Sequence, residues 1–347
     1  MHSSMRIRLI RFLLPLIIPF VWACGINSQS VPTSQSAPAV QNPPNPPKPV
    51  VVKPASILSD NTLFTVYGRF FGRAPILGRL GAYKDFAEME KDIAPWIEGI
   101  QKRHDKKNVI PAVHLIYAMA TPCQDSPDCL LYIEGSIKDL VRSYIEPAAK
   151  RGWMVVLDTQ LGKSDPVKQI RRILDKGYLK YENVAVALDP EFHVYPGRET
   201  PGLPIGTVDS SQINEVQQML DDYVRTQKLQ NKKILIVHQF GDANIDDGVP
   251  FMIKEKDKIK AFDNVELVLD MDGLGQRPIK VVKYNKITDA GVYPFVKFRG
   301  IKVFFRNRWE KHGHFDKPPL DLDEIFGIKK VKGGPKMETK PDVLIIA

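Results

Sequence analysis

Three strand-like runs end in polar residues spaced two apart: Asp158-x-Gln160 in VVLDTQ, Asp189-x-Glu191 in VALDPE and Asp270-x-Asp272 in LVLDMD. A fourth run, KILIVHQF, ends in His238-Gln239. Alternate residues of a strand point the same way and lie about 6.6 Å apart, so each pair projects to one side of its sheet. Paired carboxylates suit glycoside hydrolysis, in which one protonates the leaving oxygen and the other acts as nucleophile or activates water. Glu191 is the expected general acid, with Asp189 beside it as a like charge that favours its protonated form. Asp158 or Asp272 would stabilise oxocarbenium-like charge or activate water. Tyr67, Gln160, His238, Gln239 and Asp270 are expected to bind substrate through its hydroxyls. Phe192, Tyr195, Phe240 and Trp309 are candidates to stack on sugar faces, although packing is the commoner fate of such rings.

Taken singly, these residues have plainer uses. An Asp at a strand end commonly caps or forms a turn, and Asp270 alone reads that way; His114 and His193 read as satisfied structural histidines. The coincidence of four strands carries the catalytic expectation, because burying several unpaired carboxylates is costly. Two other classes compete. One is a non-catalytic protein that holds a glycan at the same place or assists envelope assembly. The other is a metal-dependent hydrolase in which Asp158, Asp189, Glu191, Asp272 and His238 bind a cation; no H-E-x-x-H supports it, so neither metal nor other cofactor is expected.

The elements that must position these residues follow a repeating pattern of short β-branched runs and amphipathic stretches, the signature of β/α units. The expected strands are 64–69, 109–116, 153–160, 183–191, 233–240, 264–273, 300–306 and 342–347. Eight parallel strands close a (β/α)8 TIM-like barrel, whose catalytic groups sit at the carboxyl ends of the strands. Helices are expected at 85–104, 137–152, 167–178, 210–230, 251–262 and 279–287, with a turn at 321–326. Asp209-Ser210 is the expected cap of the fourth, and Gly152 the end of the second. An open doubly wound sheet is the runner-up, but no G-x-G-x-x-G follows the first strand, so a dinucleotide site has no support. The chain ends on strand eight without a final helix, and the segment before strand one is expected to cover that side.

The chain has 347 residues, 43% hydrophobic and 26% charged, a balance that argues against disorder or a multi-span membrane protein. At the amino terminus Arg6, Arg8 and Arg11 precede an apolar run, FLLPLIIPFVWA, too short to cross a bilayer. Residues 1–23 read as an export signal. The following Cys24 stands where a lipobox cysteine would be lipidated, although Trp22 replaces the usual small residue. Residues 24–55 read as a tether, with eight prolines between Val31 and Pro54 and a first charge at Lys48. Residues 56–347 read as one barrel domain. With Cys24 lipidated, Cys123 and Cys129 are left to pair as a disulfide across a short loop; their spacing is poor for zinc. The formal charge is +9, three units of which leave with residues 1–23. A mildly basic exported chain tolerates anionic envelope surfaces, and nucleic acid is not an expected partner. The Lys-rich run 254–260 reads as a solvated helix face.

The segments VYGRFFGRAPILGRLG, VVLDTQLGKSD, VALDPEF, IGTVDSSQINEV, VHQF and MDGLG resemble, in order, blocks of an uncharacterised family of exported bacterial proteins and lipoproteins. The family's blocks look like Y-G-x-P…L-G-x-L-G, V-L-D-x-Q-x-G, L-D-P-E-W, I-G-x-V…E-V, H-Q-F and D-G-F-G. The resemblance spans most of residues 64–275. Phe192 replaces the tryptophan after D-P-E, and His114 stands where the family tends to carry an acid, which speaks against a role for the second strand. The resemblance implies export and the domain boundary; it implies no particular chemistry. Together these features suggest a lipid-anchored protein on the outer side of the membrane, with a polysaccharide as its partner.

Overall fold

All eight expected strands form. The computed structural model describes residues 53–72, 78–195, 197, 200–241, 252–306 and 315–347; Cys24, Trp309 and the whole of the expected signal lie outside them. The strands are β1 (Asn61–Gly68), β2 (Asn108–Ala120), β3 (Met154–Thr159), β4 (Val184–Leu188), β5 (Lys233–Gln239), β6 (Val265–Met271), β7 (Phe298–Val303) and β8 (Val343–Ile346). Each pairs in parallel with the next, and β8 pairs with β1, so the sheet closes on itself as a (β/α)8 barrel. A short strand, Leu130–Tyr132, extends it antiparallel beside the end of β2. The disulfide Cys123–Cys129 closes the intervening loop.

The strands read as apolar runs because they are buried on both faces, as parallel strands under helices must be. Their alternation separates two cores. Leu63, Ile116, Val156, Ala187, Ile236 and Val268 point inward and fill the barrel, while Val66, Leu115, Val155, Val186, Leu235 and Leu269 point outward beneath the helices. Those helices are α1 (Phe86–Gln101), α2 (Glu146–Ala149, continuing a π-helical turn over Val141–Ile145), α3 (Pro166–Asp175), α4 (Ser210–Gln227), α5 (Arg277–Ile287) and α6 (Leu322–Ile325). Asp85 caps α1 by accepting from Glu88 N. At α4, Gln212 accepts from Asp209 N in a capping box, and Gly152, at φ +69°, ends the turn that follows α2.

One expected helix is absent. In place of a helix over 251–262, Ile253–Lys254 pairs with Val208–Asp209 in a separate two-stranded sheet, followed by a single 3-10 turn, Lys256–Lys258; Phe251 lies outside the described residues. The sequence there, IKEKDK, offers no apolar stripe to bury, and Glu255 adopts a left-handed conformation at φ +49°. The run is not uniformly solvated either: Lys256 is buried, and its ammonium donates to Ile287 O at 2.9 Å.

The segment before β1 covers the amino-terminal end of the barrel rather than its side. Leu58, fully buried, joins the interior core, and Ala55 bridges to Asn231 ahead of β5. α1 and α6 meet where Gly99 lets Leu322 approach so closely that an added Cβ would lie 2.5 Å from its Cδ1. Glu266, buried at the start of β6, holds the plug: its carboxylate accepts from Ile57 N at 3.1 Å, Leu58 N at 3.2 Å and the Ser56 hydroxyl. Glu266→Ala leaves those donors unpaired and is expected to cost about 1–3 kcal/mol. A lower urea midpoint at unchanged m-value is the expected result; an unchanged midpoint would show that the plug contributes nothing.

Candidate active site at the barrel mouth

Above the apolar interior, the inward positions at the carboxyl ends of the strands turn polar. Register sets which residues share a level: Tyr67 of β1 lies beside His114 of β2, and His238 of β5 beside Asp270 of β6. Asp158 is the penultimate residue of β3, Asp189 follows β4, and Lys302 lies on β7 two residues beyond Gly300. Gly300 makes room for its neighbour, since a Cβ there would sit 2.6 Å from Asp270 Oδ1.

Nearly all of these side chains are out of water. Asp158, His114, His238 and Asp270 are fully buried and Asp189 is 2% exposed; Glu191, on the 3-10 turn Pro190–Phe192, is partly exposed. His238 Nδ1 donates to Asp270 Oδ2 at 2.8 Å, and its Nε2 lies 3.4 Å from Asp158 Oδ2. His114 Nε2 lies 3.6 Å from the same oxygen, too far for a hydrogen bond, and its Nδ1 meets the Thr65 hydroxyl at 3.4 Å. Lys302 Nζ donates to Asp272 Oδ2 at 2.8 Å and sits 3.6 Å over the Tyr67 ring.

The electrostatics divide the acids. Burial pushes the Glu191 carboxyl up to about 7, with the Asp272 charge adding and Lys302 and His238 opposing. Asp189 is held well above the usual carboxylate range by burial and by Asp158, and burial also raises Asp270 against the pull of His238. Burial would raise Asp158 too, but the His238 and His114 rings reverse it and hold the carboxyl far below its ordinary value. His238 is the converse: burial disfavours its charge, yet Asp158 holds the imidazolium well above its ordinary value. His114, pushed down to about 4 chiefly by burial, stays neutral near pH 7. Burial and the surrounding acids keep the Tyr67 phenol protonated.

Of the residues picked out by sequence, Tyr67, Asp158, Asp189, Glu191, His238, Asp270 and Asp272 therefore interact at one end of the barrel. Gln160 is also buried there, its Oε1 accepting from Ala120 N at 2.8 Å. Gln239 differs: one residue beyond His238, it falls on the opposite face of the strand and donates to Gly241 O at 3.3 Å. Tyr195 is engaged with Thr207 O, as is His193. His114 is not the satisfied structural histidine its isolation in sequence suggested, since its buried Nε2 has no hydrogen-bond partner. Sequence reasoning also passed over Lys302, whose signal was a lysine at an inward position of an apolar strand, and the H-x-H spacing of His312 and His314, which lies outside the described residues.

Lys302 offers a direct check of this arrangement. Its ammonium opposes the rise of the Glu191 carboxyl, so Lys302→Met is expected to move that carboxyl further above 7. A carbon-13 carboxyl titration, assigned by comparison with Glu191→Gln, reads the shift; no change or a downward shift would contradict the described electrostatics.

A comparison with protein-family models finds no match, and none of the curated proteins matches the chain. Among the described residues no helix is long and apolar enough to cross a membrane. The geometry must therefore carry the functional argument.

Proposed function

We propose that the chain is a glycoside-hydrolase-like enzyme, held at the outer side of the bacterial membrane through a lipid on Cys24, that cleaves an envelope or environmental polysaccharide. One observation supports this most: a partly exposed carboxyl, Glu191, poised at about 7 beside an Asp272 that is already paired with Lys302. Two carboxyl groups in such different surroundings can take different roles, one donating a proton and the other acting as an anion. Glu191 protonates the leaving oxygen; Asp272 activates water or attacks the sugar. Asp189, held protonated by burial and by the Asp158 charge, carries no like charge toward Glu191, and the charge that raises Glu191 is that of Asp272 instead.

The test is to incubate the full chain and its Glu191→Gln variant with a panel of bacterial wall and capsular polysaccharides and to follow released fragments by mass spectrometry. Fragments from the wild type alone support the proposal. Retention of a glycan without release by a folded wild type would replace it with a binding function.

A further inference from the structure

We propose that His114, Asp158 and His238 form a binding site for a divalent transition-metal ion of the zinc class, set in the barrel interior beneath Glu191. The inference is independent of the glycosidase reading. It starts from polar atoms that the protein leaves unpaired. His114 Nε2, His238 Nε2 and both Asp158 oxygens are buried without a hydrogen-bond partner, and their side chains are wholly shielded from solvent. A buried polar atom left without a hydrogen bond is costly, and here one atom from each of the three side chains lies within 4.8 Å of the other two.

Their spacing fits a metal better than a hydrogen-bond network. The Asp158 Oδ2 edges to the two histidines are 3.4 and 3.6 Å, and tetrahedral ligands about 2.1 Å from zinc lie about 3.4 Å apart. All three ligand atoms fall within 4.8 Å of one another, so a modest rotation of the rings closes the third edge. The next shell is also present. Ligating histidines commonly give their other ring nitrogen to a carboxylate or similar acceptor, and His238 Nδ1 donates to Asp270 while His114 Nδ1 meets Thr65.

The neighbouring trio of His238, Asp270 and Asp272 is a poorer site for two reasons. His238 Nδ1 is engaged with Asp270, and the Lys302 ammonium lies on Asp272, where it would repel a cation. Two imidazoles and one carboxylate favour zinc or a similar ion over calcium or magnesium. Three protein ligands leave a fourth position for the oxygen of a water or a substrate.

The experiment uses the untagged full chain in detergent, stripped with a chelator, reloaded with zinc and desalted before elemental analysis. One zinc per chain is expected, together with a raised melting temperature, and cobalt should give the intense visible bands of a four-coordinate site. His114→Ala and Asp158→Ala should each weaken retention about 100-fold or more, and Asp270→Asn about 10- to 100-fold; circular dichroism reports whether each variant is folded. Glu191→Gln should retain zinc, as should a double alanine variant of His312 and His314. The proposal is overturned if the wild type holds no stoichiometric zinc and gives no cobalt bands, if folded His114→Ala holds zinc as the wild type does, or if the His312/His314 variant loses it. Zinc binding without sugar release would remove the glycosidase reading alone; sugar release without zinc would remove the metal site alone.

Discussion

Glu191→Gln is expected to lower turnover about 1,000-fold, within the range that positioned acid–base groups contribute. The substitution preserves size and removes the ionisable hydrogen of the partly exposed Glu191. The wild type should carry an alkaline limb near pH 7 in kcat/KM, because the acid must be protonated and its carboxyl titrates at about 7. The variant's residual rate should lack that limb. Stability should move the other way. A carboxyl raised above its unfolded value makes the folded chain bind the proton more tightly, so its contribution is present at pH below the ordinary range of about 4.3 and is lost as pH rises through about 7. Glu191→Gln should therefore melt higher than the wild type at pH 8 and gain less at pH 5. A variant that keeps its activity, or one that loses activity and also melts lower at pH 8, would show that Glu191 is a structural residue.

How much of this was legible in the sequence depended on parity. The strands announced themselves because burial on both faces demands unbroken apolar runs, and Asp158, Asp189 and Asp270 stood out because each ends such a run. Spacing of two then carried Asp272 and Gln160 to the same side. The same rule, applied to His238-Gln239, would have sent Gln239 to the other face. Lys302 and His114 were harder, since each is a single polar residue in a strand and only the folded barrel brings it near an acid of another strand: Lys302 to Asp272 and His114 to Asp158. The misplaced helix at 251–262 has a different cause. Charge alone suggested a solvated helix, but without apolar periodicity nothing anchors one to the barrel, and the chain forms a short strand and turn instead. The role of Leu58 as a plug was invisible because it depends on Glu266, more than two hundred residues away in sequence.

The largest loss of stability is expected from Asp316→Ala. Asp316 and Lys280 of α5 are each 1% exposed and meet at 2.6 Å, and the carboxylate also accepts from Phe304 N at 3.0 Å and Gly275 N at 3.1 Å. Those two amides belong to the chain just past β7 and β6, so one side chain ties together the strand ends that carry Lys302 and Asp272. Removing it strands a buried ammonium and two backbone donors, a change that costs about 3–5 kcal/mol when a buried pair loses one partner. At about 2–4 °C for each kcal/mol in a domain of this size, calorimetry should show a drop of about 10 °C. The double variant Lys280→Met/Asp316→Leu separates charge from shape: with no unpaired ammonium it should recover much of the loss, since apolar replacements of buried pairs are often neutral, but the two amides remain unpaired and the Lys302–Asp272 bond should stay loosened. The Glu191 carboxyl reports on that loosening, because freeing Asp272 from Lys302 raises it further. A double variant as unstable as the single one would place the cost in the lost amide bonds rather than in the buried charge, and an unshifted Glu191 titration would show that the mouth is held by its strands alone.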